Sequence, residues 1–194
     1  LERADWKRDL HFITRTTMDT LDYSGINLNQ GSKLVLAVAG AKQKELGKKI
    51  PPDLSLPNNF KRPTVFAPGI LVIQGQPHEK GRDEHDQTVE ELGVFLEQSG
   101  DLSKFPLIVV ADDSEFTAKS WENFLWVTFT RSDPATDIYG VGPFTHCKHW
   151  GCRGSLIIDA RLKTYHAPPL EDDSEVEKRV DALGAPGGPL HGII

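Results

Sequence analysis

LIVVADDSEFTAKSWENFLWVTFTR, residues Leu107–Arg131, is the stretch that decides the fold class. It opens with a run, Leu107 to Ala111, that is apolar at every position. A strand greasy on both faces belongs in a parallel sheet covered on both sides by helices. The run ends on Asp112-Asp113-Ser114, at the carboxyl end of the strand, where open α/β sheets place ligands. The same residue types also cap turns and helix starts, because their short side chains accept from free backbone N–H groups. Thr117 to Thr130 then reads as one helix, with Trp121, Phe124, Leu125, Thr128 and Phe129 on a common face. Trp126 and Val127 fall outside that face, so the helix calls for a neighbour beyond its own sheet, such as another domain or subunit. Pro134 stops it, since proline cannot continue a helix and disfavours helical Asp133.

Outward from this segment, three more apolar runs of strand length appear: Lys33–Ala39, Gly69–Gln74 and Ser155–Asp159. Helical spacing predicts Asp5–Leu21 (Trp6, Leu10, Ile13, Thr17, Leu21) and Thr88–Gln98, with a short Lys-rich helix over Ala41–Lys48. Pro51–Pro68, rich in proline, reads as irregular, and Gln76–Asp86 as a polar loop. Strand and helix alternate, which implies a three-layer α/β/α domain with a parallel or mixed sheet. Residues 1–169 form that domain. Residues 170–194 form an acidic helix, Glu171–Leu183, striped by Val176, Val180 and Leu183, and an extended Gly- and Pro-rich tail for contacts between subunits. No internal repeat is apparent in this reading.

The chain has 194 residues, 38% of them hydrophobic, enough for a sizeable core, and a formal net charge of −6. That balance argues against nucleic acid and anionic membrane as partners, since both call for clustered cations. No apolar run approaches a membrane span. Two cysteines, Cys147 and Cys152, make no disulfide framework, so a cytoplasmic setting is expected. The chain starts at Leu1 and its only methionine is Met18, which reads as an internal fragment of a longer enzyme.

The segment PLIVVADDSEFTAKSWENFLWVTFTRSDPATDIYG, followed by a Gly-Pro loop and GSLIIDARLKTY, resembles the C-terminal domain of UbiD-like enzymes. These are prenylated-flavin-dependent decarboxylases of aromatic and α,β-unsaturated acids, some of which run as carboxylases. The matching elements are Leu107–Val110, Asp112-Asp113, Trp126 with Thr130-Arg131, Ile138–Gly154 and Leu156–Asp159, about a quarter of the chain. GSKLVLAVAG and PGILVIQG fit the phenylphosphate- or benzene-carboxylase variety.

The resemblance implies that prenylated FMN, a divalent metal (Mn or Mg) and potassium sit in the parent's barrel. The catalytic Arg and two Glu belong to the parent's preceding regions, and none is matched here. The fragment alone is therefore expected to lack cofactor and activity. Its partners would be its own N-terminal and barrel domains, further copies in a homo-oligomer, and an aromatic acid substrate. By the same resemblance the C-terminal domain assembles subunits, and the loop Tyr139–Trp150 closes over the substrate pocket. Pro143, Phe144 and Thr145 are the candidate pocket residues, with Phe144 either an apolar wall for the ring or an aromatic pinned to its own domain. On this reading Asp112 and Asp113 become caps. Lys104 stays unassigned.

Other constellations are weaker. Cys147, His149 and Cys152 are zinc-ligand types, but the spacing is not that of a zinc site. His78, Glu79, Glu84, His85 and Asp86 read as solvated loop. Two further classes stay open: a non-catalytic oligomerisation module or small carboxylase subunit, and a small metal-binding protein.

Overall fold

The computed structural model describes residues 1–16, 31–81, 84, 86–99, 102–166 and 173–193. In chain order the elements are β1 (Leu10–Ile13), β2 (Lys33–Leu36), β3 (Phe60–Ala67), β4 (Ile70–Gly75), α1 (Thr88–Ser99), β5 (Leu107–Ala111), α2 (Ser114–Thr117) and α3 (Trp121–Thr130). There follow β6 (Ile138–Gly140), β7 (Pro143–His146), β8 (His149–Cys152), β9 (Leu156–Asp159) and α4 (Ser174–Gly184).

The central sheet has the order β3-β4-β5-β9-β6. β4, β5 and β9 run parallel, with Leu107 opposite both Ile70 and Leu156, while β3 and β6 pair antiparallel at the two edges. The three parallel strands are the continuous apolar runs, as expected where both faces are covered. On one face Val89, Leu92 and Leu96 of α1 pack on Leu71, Ile73, Ile108, Val110 and Ile157. On the other, Phe124 and Val127 of α3, joined by Trp6 and Leu10, pack on Val72, Val109 and Ile158. The expected three-layer α/β/α domain with a mixed sheet is therefore what forms.

Several local expectations fail, each for a tertiary reason. Asp5–Leu21 is not one helix. A single turn, with Arg8 and Asp9 N–H groups bonding Asp5 O at 2.9 Å, gives way to β1, and residues 17–21 lie outside the described ones. Trp6 is drawn instead into the core, its Nε1–H donating to Pro106 O at 2.7 Å. The apolar run Lys33–Ala39 yields β2, which among the described residues pairs with β1 in a separate ribbon and is largely exposed rather than buried. Ala41–Lys48 is irregular: Gly47 lies directly under the Phe105 ring, and its N–H is held by Lys104 O at 2.7 Å, so backbone contacts outweigh helix propensity.

Pro51–Pro68 is irregular only to Asn59. β3 then tolerates Pro63 because it is an edge strand with a register shift between Lys61 and Thr64, the setting in which proline is allowed. Ala118–Ser120 splits the expected Thr117–Thr130 helix, and Ser120 caps the second piece by accepting from Asn123 N–H at 3.2 Å. Residues 139–150, expected as a loop, build β6 and the β7–β8 hairpin. The acidic helix starts at Ser174, capped by Asp173. The tail beyond it turns back in successive bends, with Leu190 N–H on Leu183 O at 2.9 Å, instead of extending.

Candidate functional site

The carboxyl ends of β4, β5 and β9 carry a buried network of charges. Arg161, two residues beyond β9, is 1% exposed and forks onto three partners. Its Nε and Nη2 donate to the two oxygens of Asp159 at 2.9 and 2.8 Å, Nη2 also reaches Asp86 at 2.8 Å, and Nη1 donates to Gln76 O at 3.0 Å. A guanidinium suits this place because its planar fork serves two carboxylates at once. Lys163 is equally buried and donates to Asp159 O at 2.7 Å and Arg131 O at 2.9 Å, with Asp137 at 3.1 Å. These bonds pin the end of β9 to the loop before α1, to the end of α3 and to the segment before β6.

The charges respond to this packing. Burial would raise the carboxyl of Asp86, but the Thr88 hydroxyl and N–H and the Arg161 guanidinium outweigh it and hold it at about 2. Asp159 is lowered in the same way, burial being overcome by Arg161 and Lys163. Asp137 goes the other way, because burial prevails over its partner Lys163. His78 lies against the network with Nε2 3.8 Å from Asp86, and burial together with Arg161 lowers its pKa.

Sequence reasoning missed this cluster except for Asp159 as a strand end. The available signal was Asp159-x-Arg161-x-Lys163 directly after a doubly apolar strand, where charges cannot be left unpaired. Asp113 is the α2 cap, accepting from Glu115 and Phe116 N–H at 3.0 Å. Asp112 is not a helix cap: it accepts from Leu162 N–H at 2.8 Å and from Arg131 at 3.0 Å, tying β5 to β9 and α3.

Pro143, Phe144 and Thr145 lie together on β7, Pro143 and Thr145 exposed and Phe144 half-buried. The Phe144 ring rests on Gly151 and under the Arg153 guanidinium, 5.7 Å from its centroid. The neighbouring cleft, of about 540 Å³, is lined not by β7 but by His149 and Trp150 of β8, the Cys147-Lys148 turn, and His11 and Phe12 of β1. Cys147 and Lys148 both adopt positive φ, 49° and 66°, which closes the hairpin in two residues. Cys147 is exposed, whereas Cys152 is buried against Gly140 and its thiol is pushed up to about 12 by burial. The two cysteines are therefore not brought together. Among the described residues no group of three or more His, Cys, Asp and Glu side chains is placed to hold a metal ion.

A third feature is the outer face of α3. Phe124, Val127 and Thr128 point inward, while Trp121, Leu125, Trp126 and Phe129 stand outward, the last 63% exposed. The expected stripe is thus rotated: Leu125 and Phe129 join Trp126 outside, and Val127 moves in. α4 buries no residue, and Val176, Val180 and Leu183 are all exposed. No helix among the described residues is long and apolar enough to cross a membrane.

The 3-octaprenyl-4-hydroxybenzoate carboxy-lyase C-terminal domain family matches residues 1–38. That stretch differs from Leu107–Asp159, on which the resemblance had rested. A Chlamydia caviae protein of uncharacterized function is 36% identical over 93% of this chain, and a 4-hydroxybenzoate decarboxylase subunit from Chlamydia pneumoniae is 30% identical over 93%. In both cases the chain spans 29% of the relative's length. The vanillic acid decarboxylase of Sedimentibacter hydroxybenzoicus in open form overlaps 60% of this chain and 26% of that chain, at 16% identity and a TM-score of 0.36.

Proposed function

We propose that this chain is the C-terminal assembly and pocket-lid domain of a UbiD-like carboxy-lyase, a reading supported by the match of residues 1–38 to that family's C-terminal domain and by relatives 30% or more identical over 93% of the chain. The parent would act on aromatic or unsaturated carboxylic acids, in the decarboxylating or the carboxylating direction. The observation that carries the reading is the outer face of α3: four large apolar side chains, 48–63% exposed, face outward from the sheet that α3 covers. Monomeric surfaces rarely leave such a patch uncovered, and Trp and Phe are the residue types that anchor interfaces. α4 and the tail, 170–194, offer a second, narrower contact for a further copy of the chain.

In this reading the β7–β8 hairpin is the lid, and the half-buried Phe144 would contact the substrate's ring. The buried Asp159, Arg161 and Lys163 act as the frame that holds the neighbouring loops. Prenylated FMN with its metal and potassium would supply the electron sink for carboxylate loss. The described residues do not fit that group, because no metal-ligand cluster is present among them and Arg161 and Lys163 are neutralised by their own carboxylates. The cofactor is accordingly assigned to the rest of the parent, and no chemical step is assigned to this chain.

The test is to replace Trp126 and Phe129 by serine in the full-length parent and to measure its mass by sedimentation. Loss of the oligomer with an intact fold is the expected result. An unchanged oligomer refutes the assembly role. For the lid, Phe144→Ala should change substrate selectivity or rate more than stability. A large fall in thermal stability with selectivity unchanged places Phe144 in the domain's own packing instead.

A further inference from the structure

β2 and β9 follow similar sequence, yet one is enclosed and the other is not. Asp5-Trp6 and Ser120-Trp121 each begin a helical turn, and each Trp is followed four residues on by Leu, at Leu10 and Leu125. Thr14-Arg15 and Thr130-Arg131 come next. Then Gly31-Ser32-Lys33-Leu34-Val35-Leu36-Ala37 matches Gly154-Ser155-Leu156-Ile157-Ile158-Asp159-Ala160 without a gap, identical at Gly, Ser and Ala and apolar in both at Leu34/Ile157 and Val35/Ile158. The two stretches read as a candidate diverged pair, where the expectation had been of no repeat.

The local structure supports the pairing at the start of each copy. The Asp5 carboxylate accepts from Lys7 N–H at 3.1 Å and the Asp5 carbonyl from Arg8 and Asp9, as the Ser120 hydroxyl accepts from Asn123 and the Ser120 carbonyl from Phe124. Beyond the first turn the copies diverge, the second continuing as α3 and the first passing into β1.

At the end of the copies the strands differ in what surrounds them. β9 has an antiparallel neighbour, β6, on one edge and a parallel one, β5, on the other, in a sheet covered on both faces, and Ile157 and Ile158 are 0% and 4% exposed. β2 has its antiparallel neighbour β1, and among the described residues no second strand. Val35 and Leu36 are 45% and 39% exposed, with Val38 and Ile13 also in solvent. An apolar strand with an unpaired edge is a template for another strand.

We infer that β2 is the closing strand of a second α/β unit whose other strands lie in the polypeptide preceding this chain in the parent, and that an apolar strand of that region pairs with it, parallel, as β5 pairs with β9. The occupant is argued from three facts. The relatives are more than three times the length of this chain, which spans 29% of them. The family match covers residues 1–38, the first copy and not the second. And in the second copy the strand in this place is filled by a parallel apolar run. The inference goes beyond the assembly and lid reading and stands on different residues.

The experiment is hydrogen exchange on the full-length parent, comparing amides of Lys33–Ala39 with those of Leu107–Ala111 and with exposed α4. Protection of Val35 and Leu36 about a hundredfold or more above α4, approaching that of β5, is the expected result. Exchange of Lys33–Ala39 at the rate of α4 overturns the inference. Cross-linking of mixed ¹⁴N- and ¹⁵N-labelled parent through Lys33, Lys42 and Lys44 identifies the occupant. Links to preceding residues within one isotopic chain support it, and mixed-isotope links mean a second copy and overturn it. Val35→Lys in the parent should abolish the protection while Val94→Lys, on the outer face of α1, leaves it intact; an equal effect of both counts against the inference. Because α3 is untouched, loss of the oligomer in the Trp126/Phe129 variant and loss of β2 protection report on separate claims.

Discussion

The end of β9 and the outer face of α3 invert the usual distribution of residues. At β9, Arg161, Lys163 and Asp159 are buried as deeply as core residues, and each is paired with an opposite charge. On α3, Trp126 and Phe129 stand mostly in solvent, 60% and 63% exposed. Charged groups are seldom buried unless paired, and clustered exposed aromatics usually mark a contact. The difference teaches that the two regions are finished to different degrees. The network finds its partners within the chain and fixes loops, whereas the aromatic face is left exposed. Their responses to substitution should therefore be opposite.

The sharpest way to break the comparison is at Arg161. Arg161→Met removes the guanidinium shared by the buried Asp159 and Asp86, and a loss of about 3–5 kcal/mol is expected in urea unfolding followed by tryptophan fluorescence. A loss under about 1 kcal/mol would show that the network is dispensable. Acid should expose the same region. Asp86 and Asp159 have lowered pKa values in the fold, so their contribution is full above the ordinary carboxylate range and is lost as pH falls from near 4 towards 2. His78, lowered by burial, is neutral in the fold and takes up a proton on unfolding, so a milder loss should begin as pH falls through about 6.5. Asp86→Asn should flatten the lower window, and an unchanged acid midpoint would contradict the assignment.

A smaller effect is expected at the start of α2, where Asp113→Ala removes the cap for two N–H groups and should cost about 1 kcal/mol in the same assay. The smallest belongs to the other side of the comparison. Trp126→Ser should change the stability of the isolated chain by no more than about 0.5 kcal/mol, since it removes an exposed side chain. A loss of several kcal/mol would mean that the face is part of the core and not a contact surface.

Much of the central architecture was legible in the residues. The runs LIVVA, GILVIQ and SLIID are apolar at consecutive positions, a pattern that only a sheet covered on both faces can satisfy, and they became β5, β4 and β9. α1 and α4 were visible as helices with one apolar face. The site was much less legible. Asp86, Asp137, Asp159, Arg161 and Lys163 are spread over 78 positions of sequence and meet only because parallel strands deliver their carboxyl ends to one edge.

By itself the sequence determined the layer type and the three parallel strands, since hydrophobic patterning is a local property tied to backbone period. It also carried the resemblance to UbiD-like C-terminal domains. Tertiary structure alone decided which face of α3 turns inward, that Trp6 leaves its helix to reach Pro106, that Gly47 lies under Phe105, and that β2 stays outside while β9 goes in. These outcomes depend on which backbone and side-chain surfaces meet across long separations, and periodicity along one segment does not encode what will be packed against it.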